Sequence, residues 1–365
     1  MKASGEIYKP LINQNHSKMN DVNLVVGIDV SKSSLDFAEY KKTKSAITRQ
    51  GAWSNTVKTI QEKLSKYDRE TTLIVFEPTG SYSDKLLCCC EEMGFKFSLV
   101  NPNKSSNYAK YQGITTQTDA QAARMLAEMG SKEDLVLYQP CSHQNRERKS
   151  LMRHLCSLEV DRRRVLNRIH AEEQKKYPSK KLLSSQNRVL KTLDSEIETV
   201  SQTIKSIKEE SYEAKKKKGK TVVGIGDKAA DWLLTLTNGL TNFKSSGAVK
   251  KFLGIVPHTH NSGTSVRKSL GITKAGPGKV RAVLYMAALS AKKHNKACKS
   301  LYNRLRERGK CHYKAIVAVM GKLVTQFYAV VTSDVDFDND YHLKRAEGKV
   351  VSDERVVQAK IELAA

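Results

Sequence analysis

Three carboxylates in this chain sit where an acid is costly unless it holds something. Asp29 falls near the end of the apolar run LVVGIDV (24–30), Glu77 closes TTLIVFE (71–77), and Asp119 opens TDAQAARMLAEMG (118–130). A carboxylate at the end of a buried strand carries a desolvation cost that a bound cation removes. Acidic oxygens on rigid elements are the donor set of a two-metal phosphoryl-transfer site. There, two Mg²⁺ ions about 3.5–4 Å apart clamp the attacking and leaving oxygens. Any one of these acids alone reads as a turn or helix-capping residue satisfied by backbone N–H groups. Three in matching contexts, on a strongly basic chain, read as a site.

The charge supports that reading. The 365 residues include 63 Lys+Arg against 38 Asp+Glu, a formal net charge of +25. Such a surface repels itself unless a polyanion neutralises it, and nucleic acid is the usual partner. A merely soluble basic protein or a binder of acidic membranes is the alternative on charge alone. With 39% hydrophobic residues the chain can bury a core, and its length suits two domains or three. No run of about 18 apolar residues is seen and the N-terminus has no apolar core, so neither a membrane span nor a secretory signal is expected. The seven cysteines (88, 89, 90, 141, 156, 298 and 311) form no CxxC pair. They read as reduced thiols of a cytoplasmic protein rather than as a disulfide framework or a zinc site.

The elements that must position the acids follow from periodicity. Residues 1–22 are polar and read as a flexible lead-in. LVVGIDV is a buried strand, LDFAEY its hairpin partner or neighbour, and TTLIVFE a further strand stopped at Pro78–Thr79–Gly80. KLLCCCEEMG reads as a helix closed by Gly94, FKFSLVNP as a strand, and TDAQAARMLAEMG as a helix with Thr118 near its N-cap. The alternation makes residues 23–140 an α/β domain. Leu151, Leu155, Leu158, Val165 and Ile169 then keep helical spacing up to a break at Pro178. Leu190, Leu193, Ile197, Val200, Ile204 and Ile207 form a heptad seam. Residues 141–219 are therefore expected to form an antiparallel coiled-coil arm, its sides pairing within the chain or with another protomer, ended by KKKKGK (215–220) as a basic linker. From Thr221, GIG opens a helix, so that backbone N–H groups at Gly224 and Gly226 are candidates for holding a phosphate, or form a simple turn. FLGIVP, a Gly- and Lys-rich stretch and two long helices to about Val331 complete a domain over 220–335. The charged residues 336–365 are expected to be peripheral.

VVGIDVSK, FEPTG and QTDAQAARMLA resemble the three motif blocks of the RuvC-like DEDD domain in pilin-inversion recombinases and in the "one-ten" insertion-sequence transposases. NSGTSVRKSLGITKAGPGKVR, preceded by GIG and FLGIVP, resembles that family's C-terminal serine transposase domain. The resemblance spans about residues 24–331. It implies metal ligation by Asp29, Glu77 and Asp119, with Mg²⁺ as cofactor. The family's third block carries a second acid three residues on, where this chain has Ala122. It also implies that Ser262 is the nucleophile on a DNA phosphodiester, with Ser265 its nearest rival. Arg267, Lys268, Lys274, Lys279 and Arg281 are then candidates to balance the phosphate's charge. His258 and His260 flank the serine and read as ordinary hydrogen-bonding side chains.

The expected fold is thus an α/β RNase H/RuvC-like domain, an antiparallel coiled-coil arm and a mostly α-helical C-terminal transposase domain. The resemblance implies an RNA-guided DNA recombinase that excises and inserts a mobile element through a phosphoserine link. Its partners would be double-stranded donor and target DNA, a noncoding bridge RNA and further copies of the chain in a homodimer or homotetramer. Its expected location is the bacterial cytoplasm, with the nucleoid, and no membrane. A RuvC-like nuclease acting on branched DNA, and a catalytically impaired nucleic-acid binder, are the alternatives that Ser262 and Ala122 leave open.

Overall fold

The computed structural model describes residues 21–114, 118–241, 243–262, 266–333 and 335–341, and of residues 259–262 and 266–270 the backbone alone. The chain divides into two compact units, residues 1–140 and 141–365.

The first unit is built on β1 (Leu24–Val30), β2 (Ser34–Lys41), β3 (Ala46–Ser54), β4 (Thr72–Phe76) and β5 (Lys96–Leu99). The strand order is β3-β2-β1-β4-β5. β1, β2 and β3 pair antiparallel, whereas β4 runs parallel to β1 and β5 parallel to β4. This mixed sheet is the RNase H-like arrangement that the resemblance implies. β1 and β4 read as near-continuous apolar runs because both faces of the sheet are covered. On one face Val26, Ile28, Ile74 and Phe76 pack with α1 (Val57–Leu64) and α2 (Asp84–Glu92). On the other, Val25, Leu73 and Val75 meet Ala123, Leu126, Ala127 and Met129 of α4 (Asp119–Lys132). A ten-residue helix, α3 (Pro102–Tyr111), precedes α4.

β3, α1 and α3 escape the sequence reading. β3 (AITRQGAWS) buries only Trp53, α1 is 8 residues long, and α3 is mostly polar. Their local signals are weak; the caps Thr56 and Asn101, with Pro102 at the first turn of α3, are what mark the two helices.

α4 lies directly on β1. A Cβ added at Gly27 would stand 2.3 Å from both Ala123 O and Ala127 N, so no side chain fits there. Gly130 fits between Val25 and Val75 for a similar reason.

The second unit is mostly helical. α5 (His143–Glu173) and α6 (Lys180–Ser206) form an antiparallel hairpin. Arg162 pairs with Asp194 midway, and near the base Arg148 Nη2 donates to Ile207 O at 2.8 Å. At the turn, Ser179 N donates to Glu172 Oε1 at 2.9 Å. Along α6, Leu190, Leu193, Ile197, Ile204 and Ile207 are half-buried and Val200 is buried, while most residues between them are exposed. The helices α7 (Glu210–Thr221), α8 (Asp227–Leu236), α9 (Ser246–Leu253), α10 (Gly278–His294), α11 (Lys296–Glu307) and α12 (His312–Ser333) follow, with a hairpin of β6 (Pro257–Ser262) and β7 (Val266–Ile272) between α9 and α10.

Three expectations need correction. The tract 215–220 is not a linker but the second half of α7, since Lys is a good helix former and the helix has partners on both sides. Tyr212 is buried, Gly219 lies against Phe327, and Lys216 pairs with Asp231 at 2.8 Å. The end of this unit holds three helices, not two, because Asn295 and Gly309 interrupt the apparent stretch. Residues 335–341 are attached rather than peripheral: Phe337 packs on the core and its N–H donates to Thr221 Oγ1 at 3.0 Å. α12 is long and apolar enough to cross a membrane, yet Ile316, Val319, Leu323, Val324 and Phe327 are buried in the core of this unit.

The backbone contact at Gly27 predicts that Gly27→Ala lowers the unfolding free energy by about 2–3 kcal/mol, the cost of overpacking against atoms that cannot rotate away. The urea midpoint should fall at an unchanged m-value.

Candidate active site

The two parallel strands at the centre of the first unit deliver their acids to one corner. Ile28 of β1 pairs with Phe76 of β4, so the next residues, Asp29 and Glu77, stand side by side at the carboxyl ends. Side chains alternate along a strand. Val25, Gly27 and Asp29 therefore share a face, as do Val75 and Glu77, and it is the face covered by α4. α4 runs from its N-terminus above this corner toward Gly130 above Val25, which brings Asp119 over the strand ends. Thr118 caps the helix by accepting from Gln121 N, and Asp119 lies in the first turn, where the helix dipole favours an anion.

The electrostatics agree. Asp29 is half-buried, and its pKa is raised, first by burial and then by Asp119, with Glu77 and Asp36 adding to it; a hydrogen bond from Val30 N opposes the rise. The charges acting on Asp29 are all carboxylates. Glu77 is held by Ser105 of α3, whose Oγ donates to Oε2 at 2.6 Å.

Asp36 is the residue that the sequence reading misses. It lies directly across from Asp29 in the β1–β2 ladder, on the same face, where opposed Cβ atoms stand about 4.5–5.5 Å apart. Burial and Asp119 raise its pKa as well. Its only sequence signal is its place in the alternation of LDFAEY, and that has meaning only once the hairpin register is known. Ser105 carries no sequence signal. Ala122 is half-buried on α4, one turn beyond Asp119.

The donor chemistry fits a hard divalent cation, since every group is a carboxylate oxygen and the mutual repulsion calls for positive charge. Among the described residues no three such groups close on a single point. The fit is therefore in ligand type and placement, not in a preformed chelate.

In the second unit, Ser262 ends β6 and pairs with Val266 of β7. Its side chain, and those of His260, Arg267 and Lys268, lie outside the described residues, as does Ser265 entirely. The base of this hairpin is held tightly. A Cβ on Gly254 would stand 2.5 Å from Ala275 N, and one on Gly276 2.3 Å from Phe252 O. Lys274, at φ +55°, donates its backbone N–H to Gly254 O at 3.1 Å, and its side chain is exposed, as is His258. Two of the expected phosphate-facing cations have partners within the unit. Arg281 donates to the carbonyls of Gly276 and Leu253, and Lys279 pairs with Glu159, which also takes Lys228 at 2.8 Å. Gly224, at φ +105°, is required because a Cβ would stand 2.6 Å from that of Ala291. Gly226 caps α8, whose first-turn Asp227 is paired with Lys220 at 2.8 Å. A carboxylate of the chain thus already occupies the anion position near that helix start.

A central mixed sheet with acids at the ends of adjacent strands and at the start of the covering helix defines an RNase H-like domain with a carboxylate site. Known proteins share features of this chain. Residues 26–177 match the transposase family model DEDD_Tnp_IS110, and residues 219–303 match that of the transposase IS116/IS110/IS902 family. Both matches are to models of transposases, one over each of the two stretches. The chain is 28% identical over 325 residues to the pilin gene-inverting protein of Moraxella lacunata, covering 87% of this chain and 98% of that protein, and equally similar to that of Moraxella bovis. An IS110 insertion-element protein of Streptomyces coelicolor is 22% identical over 116 residues, covering 32% of this chain and 28% of that one. Among solved structures, Thermus thermophilus RuvC aligns with a TM-score of 0.25 and 11% identity, covering 32% of this chain and 99% of that one.

A raised carboxylate pKa in the folded state means that ionising Asp29 costs stability. The cost is absent below the unfolded pKa, near 4, and appears as pH rises through the higher folded value. In metal-free protein, Asp29→Asn should therefore raise the melting temperature at pH 7 by a few degrees. That gain should shrink toward zero below about pH 4 in thermal scans across pH.

Proposed function

We propose that this protein is a DNA recombinase of the transposase type, cutting and rejoining strands through Ser262. The observation that carries the reading is the gathering of Asp29, Glu77 and Asp119 at one corner of the sheet, in a chain similar to pilin gene-inverting proteins. Ser262 Oγ attacks a backbone phosphorus. An Oγ–P bond forms, a P–O bond of the DNA breaks, and the serine proton ends on the departing strand hydroxyl. The phosphoserine link keeps the energy of the broken bond, so attack by another strand's hydroxyl rejoins DNA without ATP.

Asp29, Glu77 and Asp119 would hold Mg²⁺, which when bound lowers the cost of charge on the attacking and leaving oxygens. In this reading the two units supply one composite site, and the family resemblance rather than any contact supports that. Asp119 presents its carboxylate from the helix start, Ser105 orients Glu77, and Lys274, whose side chain is exposed, would meet a phosphate. The α5–α6 hairpin serves as a coiled-coil arm, supported by its heptad seam. Guidance by a noncoding RNA that pairs with donor and target DNA is supported by the resemblance and by the charge of +25. Sequence choice then lies in base pairing, while the protein holds backbones. Recombining two duplexes breaks four strands, which calls for a dimer or tetramer.

One observation favours a second reading, a binder that does not cut. Ala122 stands where the family's third block has its second acid, one turn from Asp119 and therefore on the same helical face. Ala122→Asp should then raise Mg²⁺-dependent cleavage by about tenfold or more, the order of effect for restoring a ligating carboxylate. Incubating labelled element-end DNA with the protein and candidate RNA tests the main reading. A covalent protein–DNA adduct should appear with Mg²⁺, vanish in Ser262→Ala and survive in Ser265→Ala. Cleavage without an adduct would instead identify a hydrolytic nuclease.

A further inference from the structure

A dense run of positive charge in the second unit holds none of the candidate site residues. From Lys292 to Lys314 the chain carries nine lysines and arginines and one acid, Glu307. The stretch comprises the end of α10, all of α11, the turn at Gly309 and the start of α12. α11 turns Cys298, Leu301, Tyr302 and Leu305 inward, a spacing of i, i+3, i+4, i+7, and Cys298 is fully buried. Its outward side presents Lys296, Lys299, Arg304 and Arg306, continued by Arg308, Lys310 and Lys314, all exposed.

The surface is rigid. Buried Asn295 caps α11 by accepting from Cys298 N at 3.1 Å, and its amide donates to Val223 O at 3.1 Å and Gln326 Oε1 at 3.0 Å. At the other end Gly309 takes φ +72°, Lys310 N donates to Leu305 O at 3.0 Å, and Arg306 Nη1 donates to Lys310 O at 2.8 Å. It is also uncompensated. Elsewhere in this unit Lys216, Lys220, Lys228 and Lys279 all face carboxylates. In this stretch, among the described residues, Lys296 alone has an ion-pair partner, Asp340, at one end of the row.

We propose that the exposed face of α11 and the turn after it, from Lys299 to Lys314, is a docking surface for the phosphate backbone of duplex DNA. The inference goes beyond the proposed chemistry and holds whether or not the chain cuts DNA. Charge complementarity supplies the attraction, since a duplex carries about one negative charge per 1.7 Å of axis. The helix is 12 residues and so about 18 Å long, enough to lie along roughly five base pairs at about 3.4 Å each. The aromatic side chains favour a duplex over a single strand. A single strand needs a row of free rings on which its bases can stack. Here Tyr302 is held by its hydroxyl against His312 Nδ1 at 2.8 Å, and Tyr313 lies over Tyr285 with ring centroids 6.3 Å apart. A rigid helix face with free cations and no open stacking row suits contacts to phosphates, which position a protein on DNA without reading its sequence.

The test uses the full chain with no divalent metal and a labelled 30-base-pair duplex of about 3.4 Å rise per pair, followed by fluorescence anisotropy over a salt series. The variant is Lys299→Gln/Arg304→Gln/Arg308→Gln/Lys310→Gln; the control is Lys58→Gln on α1 with Lys66→Gln just after it, both also exposed. The four-site variant should bind about tenfold or more weakly at 0.1 M salt. Its plot of log K against log salt should be shallower by about 2–4, because each phosphate contact contributes about 0.9. The control should match the parent. Arg304→Gln alone should shift the slope by about 1, which keeps the test decisive if the four-site variant melts early. Equal affinity and slope for variant and parent overturns the proposal, as does a loss confined to duplex RNA or to single strands. Cleavage with Mg²⁺ is assayed separately, so a chain that fails to cut leaves this outcome legible.

Discussion

The close approach of α4 to β1 over Gly27 is the constraint on which the first unit depends. With Ala123 O and Ala127 N where a side chain would begin, helix and strand are held backbone to backbone. That contact fixes where the helix starts relative to where the strands end. Asp119 then stands by Asp29 and Glu77, and the hairpin register adds Asp36. The carboxylates do not choose this arrangement, because they repel one another, and burial together with that repulsion raises the pKa of Asp29 and Asp36. The apolar contacts of α4 with Val25, Leu73 and Val75 oppose that repulsion. A site strained in this way is the kind of place where local rules are broken for function.

The second unit handles charge differently. Several of its Lys and Arg side chains have partners within the unit: Lys216 pairs with Asp231, Lys220 with Asp227, Lys279 and Lys228 with Glu159, Arg281 donates to backbone carbonyls, and Arg148, 1% exposed, stacks on Tyr212. A net charge of +25 therefore does not spread evenly as a nucleic-acid coat. Around α11, Lys296 apart, the cations have no carboxylate partner among the described residues, and the difference between the two sets separates structural cations from those available to a partner.

Much of the fold was legible. β1, β2, β4, β5, α2 and α4 follow from apolar runs and caps, because strands buried on both faces and a helix capped by Thr118 advertise themselves locally. The heptad seam of α6 likewise shows itself in burial. β3 and α3 were not legible, since an edge strand and a polar helix bury too little to leave a pattern. The lysine tract misled for the opposite reason: a charge run looks like a solvated linker until its partners on α8 and near the end of α12 are known.

The sequence by itself determined which residues are chemically able to act: acids at strand ends, serines in a Gly-rich hairpin and an excess of cations. It also determined the element types, because hydrophobic period and capping are local properties. Only the tertiary structure decided that Asp36 joins the acids, that Ser105 holds Glu77, and that Lys279 and Arg281 are engaged within their own unit. Strand register and helix packing set those outcomes. Both are relations between residues distant in the chain, and no local pattern encodes them.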